Sequence, residues 1–502
     1  MTEAITSIKP VLGVLCPLMA APTIIMLRHR PNWRESATLI AATIQFAVIL
    51  SMAPAVAGGS KIACRIIDIG AGIEVGYRVD AFGLMFAITS SFLWILVSLY
   101  SIGYLRALNE HAQTRYYLMF ALAIFSAVSI AMSENLVSFY IFYEALTLST
   151  YWLVAHHEDE EAFAAARKYL AYLLVSGWFL FAAVVLTYAL AGTTRFADGG
   201  ILNPASAPRS TLIILFALFA LGSMKAAWMP FHAWLPSAMV APTPVSSLLH
   251  AVAVVKAGVF AFVRIVCHVF GIDLIGTLGI GIWLGAVASI TMILASFFAI
   301  GEDNLKRRLA YSTISQLSYI LLGVALLSPF GVKGAMIHIP FHGFMKITLF
   351  LCAGAIMVVT GKKQISQLAG IGRQMPVTLL AFTIGALGMC GAPPVAGFIS
   401  KWFLCLGTIE AGLIIFLGVI LISSLLDVVY FFPIVKTAFF DRPPEAPSAS
   451  NGGTGNLEMQ RPLYLFMVVP LALTALFSVI FCFFPESFYL LRLAEVAVEN
   501  LF

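Results

Sequence analysis

The 502-residue chain is 61% hydrophobic and only 11% charged, with a formal net charge of +5. Soluble globular proteins run about 45–50% apolar and about 25% charged, so a soluble enzyme is excluded and a polytopic membrane protein is indicated. The basic surplus sits mostly on loops, where membrane proteins carry it, and gives no case for nucleic acid. The seven cysteines include no C-x-x-C pair, and most lie in apolar runs, where a thiol packs as a small hydrophobe. Neither an iron–sulfur cluster nor a structural zinc is expected, and any redox chemistry would belong to another chain.

A membrane span needs about 20 apolar residues, and runs of that kind predict an all-α polytopic fold of about 14 transmembrane helices. The first run, Val11 to Leu27, contains Pro22 and lacks a small-residue cleavage site, so an uncleaved span is expected. Helices 1–3 are assigned to residues 1–110, helices 4–8 to 111–270 and helices 9–13 to 271–440. Residues 441–502 hold the last helix, preceded by a flexible polar linker around Asn451–Asn456. Two of the spans are interrupted. The seventh, over 211–235, contains Pro230, with Pro236, Pro242 and Pro244 close behind; the twelfth, over 376–408, contains Pro393 and Pro394. Proline lacks the backbone donor a helix needs, and non-helical backbone at membrane depth is tolerated only where protein or a water-filled cavity surrounds it. Two breaks five helices apart predict two inverted five-helix repeats, since an odd number of spans turns the second copy over. Of the 29 Lys and Arg, sixteen fall in loops after odd-numbered helices and nine on the other side. That bias predicts cytoplasmic odd loops and both termini on the non-cytoplasmic side of the cell membrane.

The remaining four basic residues, Lys225, Lys256, Lys346 and Lys401, lie inside predicted spans, as do Glu144 and Asp427. A charge at mid-membrane costs about 2.5–3.5 kcal/mol on the lenient insertion scale, so such residues mark ion paths by default. Lysine suits proton work because burial and a nearby carboxylate act on its proton affinity in opposite senses, whereas arginine stays charged. No arginine lies deep within a span; Arg264, near the end of helix 8, comes closest. His338, His342 and Lys346 recur every four residues, covering about 12 Å of one helix with a drift of about 80°. Pro340 stands between the histidines. His250 and Lys256, six residues apart, lie on different faces of helix 8 and need water or another helix to connect them. His268 is read as a helix–helix hydrogen bond and Gly281-x-x-x-Gly285 as a packing seam. The run His156-His157-Glu158-Asp159-Glu160-Glu161 contains ligand-type residues but is read as solvated loop charge in preference to a metal site. No catalytic arrangement, metal site or cofactor is predicted.

The segments around Glu144 and Lys225, with MPFHAWLP, HAVAVVKAG, IHIPFHGFMKITLFLCAGA and GAPPVAGFISKWF, resemble the antiporter-like membrane subunits shared by respiratory complex I, Mrp-type cation/proton antiporters and membrane-bound hydrogenases. The resemblance spans residues 80 to 440. It implies 14 helices with helices 7 and 12 broken, and a Glu144–Lys225 pair acting as the switch of a first half-channel. Lys256 would be a central relay with His250 beside it, His338, His342 and Lys346 would continue the path, and Lys401 would exchange the terminal proton. Lysine at position 401, together with a chain that stops at Phe502 without a lateral helix, points to the Mrp D type. The function implied is proton translocation in a multi-subunit Na+/H+ antiporter, alongside other membrane subunits in the lipid bilayer. The alternative is the proton-pumping subunit of a redox-driven complex.

Overall fold

The computed structural model describes residues 5–70, 73–205, 207–442 and 462–502; the expected linker at 451–456 lies outside them. The helices, in chain order, are α1 (Lys9–Met26), α2 (Pro31–Leu50), α3 (Ala81–Ala107), α4 (Gln113–Met132), α5 (Leu136–Val154), α6 (Glu160–Ala191) and α7 (Arg209–Gly222). They continue as α8 (Thr243–Phe270), α9 (Ile280–Gly301), α10 (Leu305–Ala325), α11 (Pro329–Thr360), α12 (Pro376–Cys390), α13 (Gly397–Glu410), α14 (Ile414–Phe439), α15 (Leu465–Phe483) and α16 (Leu490–Glu499). Short helical turns join several of them.

Ten helices among the described residues are long and apolar enough to cross a membrane, so the count of fourteen is not reached on length and hydropathy alone. The shortfall falls where the sequence is polar or broken. Helix α5 carries Glu144 and α10 opens on Lys306, Arg307 and Arg308, while the seventh and twelfth predicted spans are each split into pieces shorter than a bilayer. The fold is predominantly helical, as expected, and one small sheet accompanies the helices. Between α2 and α3, strand β2 (Ile62–Gly70) pairs antiparallel with β3 (Ile73–Val79) and parallel with β1 (Ile5–Thr6). A search for long apolar runs passes over such short segments, although Ile, Val and Tyr favour strands.

Helix α8 is the axis of the molecule, buried along its whole length. It is not one regular helix: Leu248–Val252 and Ile265–Phe270 are π-helical, and Ala253 departs from helical geometry. Wide turns of this kind recur at functional sites. Helices α3 and α11 lie alongside, also mostly buried, whereas α1, α6, α9 and α14 present rows of Ile, Leu, Phe and Trp outward, such as Trp178, Trp283 and Leu425. That is the surface expected of a protein whose solvent is hydrocarbon.

Small residues set the closest approaches. A side chain at Gly281 would meet the Ala325 carbonyl oxygen at 2.8 Å, and one at Gly285 would meet the Phe416 ring at 2.7 Å, so this seam packs α9 on α10 and α14 as predicted. Arg264, 2% exposed, is a static clamp: its Nη2 donates to Asp80 Oδ1 at 2.7 Å and its Nη1 to Oδ2. Asp80 in turn caps α3 by accepting from Gly83 N at 2.8 Å. Among the described residues, His268 makes no helix–helix hydrogen bond. Its Nδ1 is buried without a partner and its Nε2 stands 3.9 Å from Asp198 in the loop after α6, because the π-turn at the end of α8 swings the ring toward that loop.

Candidate proton path

Both interrupted spans are true breaks. Helix α7 stops at Gly222, eight residues before Pro230, and Met224–Ala226 form a single 3₁₀ turn ended by Ala227 in left-handed geometry. The exposed backbone groups find partners: Met224 N donates to Ser176 Oγ at 3.2 Å, and Trp234 Nε1 donates to the Met224 carbonyl at 3.2 Å. The break sits against α8 at Gly258, where any side chain would overlap the backbone of Lys225 and Ala226. The prolines therefore follow the break, and the site of closest approach fixes it. In the second break, α12 ends at Cys390, Gly391 turns through φ +80°, Pro393 and Pro394 follow, and α13 starts at Gly397.

All four span lysines are at most 5% exposed. Lys225 lies inside the first break, where its Nζ donates to the Tyr143 carbonyl and sits 3.3 Å from the centre of the Tyr143 ring. The implied ion pair with Glu144 is not formed. Glu144 lies instead over Gly177 of α6, and its Oε1 is buried without a hydrogen-bond partner among the described residues. The reason is helical geometry: residues 143 and 144 point about 100° apart, so the residue facing Lys225 is Tyr143.

The rest of the predicted residues come together around α8, α10 and α11. Lys256 hydrogen-bonds His342 Nδ1. The rings of His342 and His338 stack with centres 5.7 Å apart, and His338 stacks on Tyr319 at 5.8 Å. His338 Nδ1 meets Ser400 Oγ at 2.8 Å, and His250 Nδ1 meets Thr313 Oγ1 at 3.0 Å. Lys346 donates to Ser312 Oγ and to the Leu309 carbonyl. The stripe on α11 thus fans out across three neighbours, His342 to α8, Lys346 to α10 and His338 to α13, as its drift around the helix requires. The Nε2 atoms of His250, His338 and His342 are buried without a hydrogen-bond partner among the described residues, which leaves one nitrogen on each ring to take or give a proton.

Lys401 closes the series. Its Nζ donates to Asp427 Oδ2 at 2.8 Å, the Met389 carbonyl at 2.7 Å, Ser424 Oγ at 3.1 Å and Tyr319 Oη at 3.3 Å. The Met389 bond satisfies a carbonyl left open where α12 ends. Asp427, fully buried on α14, also accepts from Gln316 Nε2 at 2.8 Å and from Tyr430 Oη. Among the described residues, Lys401 is the one span lysine in contact with a carboxylate.

A family model described as NADH:quinone oxidoreductase/Mrp antiporter, TM, matches residues 133–427. The chain belongs to this family. Subunit N of the NADH-quinone oxidoreductase of Desulforudis audaxviator is 32% identical over 423 residues, covering 83% of each chain. The A/B subunit of the probable K(+)/H(+) antiporter of Rhizobium meliloti is 32% identical over 416 residues, 80% of this chain and 40% of that protein. The putative antiporter subunit mnhA2 of Staphylococcus aureus is 31% identical over 401 residues, 74% of this chain and 49% of that protein. The chain thus spans no more than half the length of these antiporter relatives. Among solved structures, a chain of the Mrp complex from Dietzia sp. superposes with a TM-score of 0.84 at 23% identity, and one of an archaeal membrane-bound sulfane sulfur reductase with 0.83 at 24%, each match covering 99% of this chain and 98% of the other. These likenesses establish the fold.

The NADH:quinone oxidoreductase/Mrp antiporter match contains both breaks, Glu144 and all four lysines, and its last residue is Asp427. Asp427 is the member of this buried cluster to which sequence alone assigns no role. A signal for it exists, since Glu144 and Asp427 are the two carboxylates well inside predicted spans and the helix carrying Asp427 directly follows the one carrying Lys401. Tyr319 and Gln316 give no comparable signal.

Proposed function

We propose that this chain is the proton-translocating subunit of a multi-subunit cation/proton antiporter, with Na+ as the exchanged cation. The observation that carries the reading is the buried polar series from Lys256 through His342, His338 and Tyr319 to Lys401 and Asp427. Every member can bind or release a proton or line its way, and none has a structural need to be charged in an apolar setting. Lys225 and Glu144 would gate the first half of the path, coming together in one state and apart in another. The two breaks would occupy equivalent places in inverted repeats over 111–270 and 271–440, flanked by residues 1–110 and 441–502. Lysine at position 401 favours the D-type subunit. Both termini are assigned to the non-cytoplasmic side of the cell membrane from the distribution of basic loops.

A second reading has its own support. The relative covered most evenly, over 83% of each chain, is named as a subunit of an NADH-quinone oxidoreductase, which favours the same path driven by a redox partner. Expressed with its partner subunits and assayed in inverted membrane vesicles, Glu144→Ala and Lys225→Ala are expected to abolish Na+-dependent proton movement while the complex still assembles. Unchanged transport in both variants would refute the gate. Proton movement driven by a reductant and insensitive to Na+ would select the redox-driven reading.

A further inference from the structure

The charged run after α5 has the composition of a solvated loop, but the structure buries its first residue completely. His156 is 0% exposed, and neither of its ring nitrogens has a side-chain hydrogen-bond partner among the described residues. It faces the turn between α3 and α4, where the Glu110 carboxylate, with its side chain 12% exposed, is surrounded by imidazoles. Glu110 Oε2 lies 3.8 Å from His156 Nε2, 3.8 Å from His157 Nδ1 and 3.9 Å from His111 Nδ1. Among the described residues no lysine or arginine pairs with it. The nearby Arg115 pairs instead with Glu158 and donates through Nη2 to the His156 carbonyl at 3.0 Å.

These separations are too long for hydrogen bonds and close to those of ligands around one ion. Donors about 2.0–2.2 Å from a zinc in tetrahedral array stand roughly 3.4 Å apart. One ligand atom from each of Glu110, His111 and His156 can be chosen so that all lie within 4.8 Å of one another, so the widest pair must close by up to about 1.4 Å, a side-chain adjustment. A neutral imidazole offers a lone pair and a carboxylate offers charge, and two imidazoles with one carboxylate is a set that zinc-class ions take. An ion there would also give the buried His156 ring a ligand role and balance the charge of Glu110, which no lysine or arginine among the described residues does.

We propose that Glu110, His111 and His156 bind a divalent transition-metal ion of the zinc class, with His157 able to complete the site. The site would fasten the α3–α4 turn to the α5–α6 turn. His157 also lines a cavity of about 830 Å³ whose wall includes Lys168, His232 and Lys306, so the ion would stand at the rim of the opening that leads toward the first break.

The test is Zn2+ titration of the intact purified complex by calorimetry, with X-ray absorption at the zinc edge. One Zn2+ per chain, at least two imidazole ligands in the absorption spectrum, and at least tenfold weaker binding in His156→Gln and Glu110→Gln are expected. Since His156 is buried and its replacement risks misfolding, His111→Asn provides the second arm, its side chain being 46% exposed. Non-saturable binding, fewer than two imidazoles, or His111→Asn and Glu110→Gln variants that bind as the parent does would overturn the proposal. None of these results bears on whether the path through Lys256 and Lys401 carries protons.

Discussion

Replacing Asp427 by Asn tests the second break most sharply, because it removes a charge and almost no volume. At 2.8 Å two unit charges attract by about 6 kcal/mol at an effective dielectric of about 20, and the desolvation of both takes back much of that. What the substitution exposes is the residue left behind. Lys401 would keep its neutral acceptors, the Met389 carbonyl, Ser424 and Tyr319, but would be an uncompensated cation in a site only 5% exposed. Breaking a buried pair in this way costs about 3–5 kcal/mol. The Asp427→Asn variant is therefore expected to unfold well below the parent in detergent and to lose proton translocation in vesicles. Adding Lys401→Met removes the orphaned charge and is expected to recover most of the stability but none of the transport. Thermal unfolding followed by tryptophan fluorescence, run on both variants beside a vesicle assay, reads the two effects separately. The charge pair does not hold the second break if Asp427→Asn unfolds with the parent, if the double variant is no more stable than the single, or if either variant pumps at the parental rate.

Two glycines offer further tests. A methyl group at Gly177 would lie 2.6 Å from Glu144 Oε1, so Gly177→Ala displaces the carboxylate without deleting it; transport in vesicles is expected to fall at least tenfold in an assembled complex, and parental transport would show that the position of Glu144 is unimportant. At Gly258 the added carbon would collide with backbone of the first break, which cannot swing away as a side chain can. Gly258→Ala is expected to cost on the order of 1–3 kcal/mol or more in stability, read as a lowered unfolding temperature and a lower yield of membrane-inserted protein.

The amino-acid sequence is most informative where the energetic penalty is largest. Apolar runs locate the helices because a span must satisfy its backbone internally, and the four lysines stand out because nothing in a lipid-facing helix accounts for them. What stays hidden depends on direction rather than composition. Whether Glu144 or Tyr143 faces Lys225 turns on a rotation of about 100° that no hydropathy pattern records. The sheet formed by β1, β2 and β3 escapes notice because its strands are short, and the burial of His156 because a charged run in a loop normally faces water. Asp427 is visible as a carboxylate within a span, but its pairing with Lys401 requires that α13 and α14 pack with those two residues at one level. The partners of Lys346 are a serine hydroxyl and a backbone carbonyl, groups that every helix offers and that sequence cannot single out.

The two breaks leave their lysines in different electrostatic settings, and that difference bears on mechanism. Lys225 stands within the first break itself, held by a carbonyl and the face of an aromatic ring, while Glu144 is turned away toward α6. Lys401 stands just past the second break, gripped by Asp427 and three further acceptors. A cation over a ring is stabilised by about 2 kcal/mol when desolvated, less than a buried carboxylate partner supplies, so the second lysine is the more tightly held of the two. Between them Lys256 and His342 share a hydrogen bond in which either can carry the proton. The proposed path thus has one loosely held end, a shared middle and one tightly held end, and its strongest contact is that between Lys401 and Asp427. If the proposed path operates, coupling would act on the second break, where a ligand or partner that displaced Asp427 would loosen the hold on Lys401.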